Sequence, residues 1–218
     1  LINEPVFWRS LRNTVIYSLI VVPGSVLLGL GVALLIESGR SLKGLYRAMY
    51  FVPVMATLIA MAISWEFMLH PQFGLINLCL KAIGIASRNW LADASTALPA
   101  LAVIGIWQQF GFNMVLFLAG IVSIPKYLYE AAALDGASNA WERFRLVTWP
   151  MLGPVTMFVL VISAIRSFQV FDTVHVLTKG GPSKASEVLL YSMYAEGFEF
   201  FRSGLAAAIA VVFLIIVL

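Results

Sequence analysis

The chain is 218 residues long, 61% hydrophobic and only 11% charged, with a net charge of +3 and a mean hydropathy of +0.93. An ordinary soluble domain carries about 25% charged residues, so this chain cannot clothe itself in a water-compatible surface, and lipid is the solvent for most of it. The positive balance reads as loop cations at a membrane surface, because no Arg/Lys stripe marks a nucleic-acid face. A single cysteine, Cys79, excludes an intrachain disulfide, and His70 and His175 have no metal-ligand spacing, so neither a metal nor a cofactor is expected.

In chain order, four runs approach the roughly 20 apolar residues that a spanning helix needs. Residues 15–36 carry no charge, and 48–69 carry only Glu66 near one end. Residues 97–122 carry none, and 150–171 carry only Arg166. A fifth run, 205–218, is cut by the chain end. Strands of a membrane barrel would alternate in polarity instead. The expected fold is therefore all-α, a polytopic transmembrane helical bundle forming a single domain over 1–218. About five spans are visible of an expected six, since a chain that begins at Leu1 without Met and stops inside an apolar run reads as part of a longer one. In the first run Ser25, Gly29 and Ala33 recur at steps of four, a small-residue face that lets another helix approach closely. Pro23 and Pro53 fall inside runs, where membrane helices tolerate them.

Alternation puts residues 37–47 and 123–149 on one side, with six Lys/Arg in 38 residues: Arg40, Lys43, Arg47, Lys126, Arg143 and Arg145. The other side has seven in 72 residues. The denser side is assigned to the cytoplasm.

Polar groups inside the runs are functional candidates, because burying them in lipid is costly. Trp107, Gln108, Gln109 and Asn113 lie mid-run, with Gln109 and Asn113 four apart on one face. An aromatic ring beside amides suits a sugar. Arg166 and Gln169 follow on a later run, with Asp172 at its outer end. Interhelical hydrogen bonds explain the amides equally well, and Arg166 can snorkel to the interface. Glu66 beside Trp65 reads as interfacial. No Ser/His/Asp set or carboxylate pair forms a catalytic constellation, so no catalytic residue and no enzyme activity is expected.

The loop at about 123–149 is the most specific segment. Pro125 suits a first helical turn, Glu130 to Leu134 are good helix formers, and Gly136 offers a left-handed cap. A second short helix is expected over 141–148, stopped by Pro150. Glu130-Ala131-Ala132 followed by Asp135-Gly136-Ala137 resembles the EAA loop of binding-protein-dependent ABC importer permeases. Phe7-Trp8-Arg9-Ser10-Leu11-Arg12-Asn13-Thr14, Phe73-Gly74 with Ile76-Asn77, and Leu177-Thr178-Lys179-Gly180-Gly181-Pro182 resemble the carbohydrate and glycerol-phosphate branch. From Gly136 to Pro150 the spacing is one residue longer than the family's commonest, and Trp149 stands where Leu is usual.

The resemblance implies a bacterial inner-membrane subunit that lines the path for a sugar or glycerol-phosphate-like solute. It implies as partners two ATPase subunits, a second permease subunit and an extracytoplasmic solute-binding protein. Glu130, Ala131, Ala132, Asp135 and Gly136 would couple the subunit to the ATPase. The chain itself has no Gly-x-x-x-x-Gly-Lys-Ser/Thr phosphate loop. An ion-gradient-driven secondary transporter is the alternative, but no internal repeat or set of membrane carboxylates supports it.

Overall fold

The computed structural model describes residues 4–39 and 43–218, and every structured element among them is helical. Arg40, counted among the inward cations, lies outside the described residues. The helices are α1 (Pro5–Ser38), α2 (Lys43–Met55), α3 (Leu58–Met68), α4 (Leu75–Ala82), α5 (Ala97–Ser123), α6 (Lys126–Leu134), α7 (Ala140–Arg143), α8 (Trp149–Met151), α9 (Gly153–Phe168), α10 (Asp172–Leu177), α11 (Leu189–Tyr194) and α12 (Ser203–Val217). Two π-helical stretches, Phe144–Thr148 and Ala195–Glu199, lie between α7 and α8 and after α11. Among the described residues three stretches are long and apolar enough to span a membrane alone, Pro5–Ser38, Ala97–Ser123 and Gly153–Leu177, and α2 and α3 pass the same test together as a bent pair. The run expected at 48–69 is not one helix. Thr57 is extended at ψ 136° and caps the start of α3, so the run is two helices separated at 56–57.

The chain divides into two compact units. The first comprises Leu1–Val22, Met55–Ile106 and Ala164–Leu218, and the second Pro23–Val54 and Trp107–Ser163. In the first, Tyr17, Val21, Leu98, Leu101, Val174, Val188 and Tyr191 make the buried core. Ser167 and Ser18 share a buried hydroxyl contact at 2.9 Å that joins α9 to α1.

In the second unit the small-residue face is used as expected. Ser25 and Ala33 are fully buried, and a Cβ placed on Gly29 would lie 2.8 Å from that of Asn113. On Gly111 it would strike the Tyr50 carbonyl. Such close approach is what small residues permit between helices in lipid, where dispersion and interhelical hydrogen bonds hold the bundle.

The outer segments of the first unit are tied down by polar side chains. Asn13 Nδ2 reaches the carbonyls of Lys184, Ala185 and Glu187 at 3.3, 3.1 and 2.9 Å. Thr14 Oγ1 accepts from the Leu189 amide at 2.8 Å, and Arg9 donates to the Ser183 carbonyl at 3.1 Å. Thus two motifs nearly 170 residues apart, 7–14 and 177–182 with the turn after it, belong to one assembly. The turn is strongly folded back: Lys179, Gly180, Ser183 and Lys184 all have positive φ. Removing the Asn13 amide withdraws the two N–H donors that these three carbonyls share, a loss worth about 1–3 kcal/mol. Asn13→Ala is therefore expected to lower the melting temperature in detergent and to speed proteolysis at 183–187, both measurable on the purified protein.

Candidate functional site

The loop after α5 folds as a capped pair of helices. Pro125 is extended at φ −62° and ψ 134° and starts α6, where its missing N–H would have had no intrahelical partner in any case. At the other end Gly136 has φ +98°. The Ala137 amide donates to the Ala132 carbonyl at 2.9 Å and the Gly136 amide to Ala133 at 3.3 Å. This is a Schellman cap, with its customary apolar contact between the residues it brings together, Ala132 and Ala137, both buried. Gly136 is required for its backbone alone, because a Cβ there would meet nothing within 4 Å.

α7 begins with a capping box that the sequence reading overlooked, although its Asn-x-x-Glu pattern is legible. Asn139 accepts from the Glu142 amide at 2.8 Å, and the Glu142 carboxylate accepts from the amides of Ser138 at 2.8 Å and Asn139 at 3.3 Å. These backbone donors hold the Glu142 carboxyl below its ordinary range. Beyond α7 the expected short helix does not stop at Pro150. A proline ring normally collides with the carbonyl four residues back, here that of Leu146. Leu146 sits within the π-helix Phe144–Thr148, whose wider turn displaces that carbonyl, and the chain continues through α8 into α9. A π-helix is a local insertion of one residue into an α-helix, so it also accommodates the single extra residue between Gly136 and Pro150.

Two contacts join the halves. Tyr129 Oη and Thr148 Oγ1 lie 3.0 Å apart, and Arg143 Nε donates to the Ala137 carbonyl at 3.3 Å. An apolar crevice of about 1040 Å³ opens between this loop and the ends of α1 and α5, with Leu34, Leu35, Ile121, Trp141 and Phe144 on its walls.

The expected loop residues divide by exposure. Glu130, Ala131, Asp135 and Gly136 face outward. Ala132 is only 9% exposed and lies under the cap, so its small size serves the loop's own packing. Around Glu130 the outward face also presents Tyr127 and Leu134.

The membrane candidates are likewise separated. Trp107, Gln108, Gln109 and Asn113 belong to the second unit, whereas Arg166 and Gln169 belong to the first, where both are exposed. Asn113 is 1% exposed; its Nδ2 donates to Ser25 Oγ and its Oδ1 accepts from Ser163 Oγ, both at 3.2 Å. It ties α1, α5 and α9 together. Gln109 differs, since its buried Oε1 has no donor among the described residues.

Sequence reasoning also missed Glu196. This carboxylate is 2% exposed and is held by a fork from Arg202, with both N–O distances 2.6 Å. The pair spans the turn into α12. Its six-residue spacing belongs to no regular element, so no periodicity could have found it.

Long apolar spans with a capped, outward-facing loop between two of them define a polytopic helical membrane protein. The comparisons define it further. Residues 25–218 match the family of binding-protein-dependent transport system inner membrane components, and the chain belongs to that family. It is 34% identical over 224 residues to the sn-glycerol-3-phosphate transport system permease protein of Agrobacterium fabrum, covering 100% of this chain and 74% of that one. It is 35% identical over 215 residues to the trehalose/maltose transport system permease protein of Thermococcus litoralis, covering 97% and 71%. A crystal structure of a bacterial ABC transporter involved in import of the acidic polysaccharide alginate superposes with a TM-score of 0.86 at 27% identity, over 100% of this chain and 78% of that one.

Two outcomes follow for the loop. Ala132→Trp is expected to unfold the α6 cap locally, whereas Ala131→Trp leaves it intact, as amide exchange of Gly136 and Ala137 would report. The Glu142 cap is complete above the ordinary carboxylate range and is lost as pH falls through the lowered value. Protection of the Ser138 and Asn139 amides, corrected for intrinsic exchange at each pH, is therefore expected to fall only on that acid side.

Proposed function

We propose that the whole of 1–218 acts as one transmembrane domain of an ATP-driven importer, with the solute path in the membrane and the 123–149 loop as its coupling element. The observation that carries the reading is the loop itself. A helix fixed at both ends presents Glu130, Ala131, Tyr127 and Leu134 outward, although large apolar side chains favour burial. An ATPase subunit is the partner such a surface serves, because the chain carries no phosphate-binding loop of its own and the family's transport depends on ATP hydrolysed elsewhere in the complex. A second permease subunit and an extracytoplasmic binding protein complete the proposed assembly. Asp135 and Gly136 then hold the angle at which Glu130 and Ala131 meet the ATPase.

The solute class is a carbohydrate or a phosphorylated polyol. Relatives serve glycerol phosphate, trehalose and maltose, and a structural neighbour imports alginate. Along the proposed path Trp107 offers an aromatic face, and Gln108 and Gln109 offer amides. An acceptor buried without a donor costs free energy, and the Gln109 carbonyl suits a sugar hydroxyl supplied in transit. Arg166 and Gln169 would serve at the outer end, where a cation favours an anionic solute.

The coupling test uses Gly136→Val in the assembled transporter. A side chain at positive φ costs roughly 1 kcal/mol or more, too little to unfold the bundle but enough to turn α6. Membrane abundance should be unchanged while ATP-driven uptake falls severalfold. Wild-type uptake from a normally inserted variant would remove the coupling role. For the path, Gln109→Leu should lower uptake without lowering copurification of the ATPase, and uptake at the wild-type level would return Gln109 to packing.

A further inference from the structure

α4 has the wrong residues outside for a helix bathed in water. Asn77 is 1% exposed, while Leu75 is 62% and Leu78 48% exposed, and Ile83 and Ile85 in the turn that follows are 72% and 49% exposed. The burial of Asn77 is built in. Its Nδ2 donates to the carbonyls of His70 and Arg88, both at 3.1 Å, and its Oδ1 accepts from the Arg88 amide at 3.2 Å and the Trp90 indole at 3.0 Å. The side chain closes the segment from His70 to Trp90 around itself, and this fixes which edge of α4 turns outward. Rotating α4 to hide its leucines would break that set of bonds.

The outward edge continues toward an apolar face of α3, which together with α2 is long and apolar enough to cross a membrane as a bent pair. Phe73 is exposed, and its ring centre lies 6.5 Å from that of Phe67 at the end of α3. On α3, Ile59, Ile63 and Phe67 are exposed together, as a membrane helix requires of its lipid face. Exposed apolar side chains thus occur on α3, at Phe73 and on α4 in succession. Lys81 is the one charge on α4 and is exposed, as is Arg88 beyond it. A short helix with an apolar edge and flanking cations fits the plane between hydrocarbon and headgroups, where the lysine stem lies along the apolar layer and its ammonium meets phosphate.

We propose that Leu75–Ile85 lies flat on the bilayer at the boundary where α3 ends, with Leu75, Leu78, Ile83 and Ile85 in the acyl region and Lys81 and Arg88 at the phosphates. The partner of this surface is lipid, and the segment fixes the depth of α3 in the membrane.

The test uses the assembled transporter in lipid bilayers, labelled with bimane at single cysteines. Leu78→Cys and Ile83→Cys are placed in a Cys79→Ser background, and Lys81→Cys serves as the polar-edge probe. The labels at 78 and 83 should emit to the blue, be quenched by lipids brominated near the headgroup end of the acyl chain, and be shielded from aqueous iodide. The label at 81 should be open to iodide. Strong iodide quenching at 78 and 83 would overturn the proposal by placing the helix in water. Blue emission that neither quencher reaches would overturn it in favour of a protein partner over the same surface.

Discussion

Inside a bilayer a polar group finds no water, so every donor and acceptor that is buried must be met by the protein itself. Much of this structure follows from how three asparagines satisfy that constraint. A carboxamide offers two donors and an acceptor with two lone pairs, so one side chain can bind several segments at once. Asn113 does so between α1, α5 and α9, Asn13 between α1 and the turn before α11, and Asn77 within the loop from His70 to Trp90. None of the three is more than 3% exposed. In each case a small or folded-back backbone lets the amide reach its partners: Gly29 opposite Asn113, the positive-φ turn at Ser183 and Lys184 near Asn13, and the extended Gly74 at the start of α4 near Asn77.

The same constraint decides what the sequence could disclose. Spans were legible because a lipid-exposed helix must be apolar over its whole length, and residues 15–36 and 97–122 reappear inside α1 and α5. Gly136 was legible because a helix end needs a residue that tolerates positive φ. What stayed hidden was partnership. A mid-membrane amide is equally consistent with a solute contact and with a helix tie, and only the positions of Ser25 and Ser163 reveal the tie that Asn113 makes. Ala132 was hidden for a related reason: smallness permits docking against a partner and packing under a cap alike. The division of residues 48–69 turned on Thr57 adopting an extended backbone, which hydropathy does not register.

The capped loop shows how stiffness can be assembled from weak local parts. An isolated nine-residue helix is marginal in water, and α6 alone would transmit little. Here the Schellman cap closes its end, the capping box starts the next helix three residues later, and Tyr129 ties the first helix to Thr148 beyond the second. Each contact contributes on the order of 1 kcal/mol, but they act on the same few residues. Fraying of one end is opposed by the others. The two ends of the loop run directly into α5 and α9, so a displacement of α6 reaches membrane helices without crossing a flexible linker.

The π-helix has a distinct place in that chain of parts. It lies where α7 gives way to α8 and α9, and its turn, closed by the Trp149 amide on the Phe144 carbonyl, is wider than an α-helical one. Pro150 withholds a hydrogen bond from the turn that precedes it, and the wider π-turn around Leu146 is where the backbone absorbs both that loss and the ring. The extra residue between Gly136 and Pro150 is thereby taken up without breaking the run from α7 into α9.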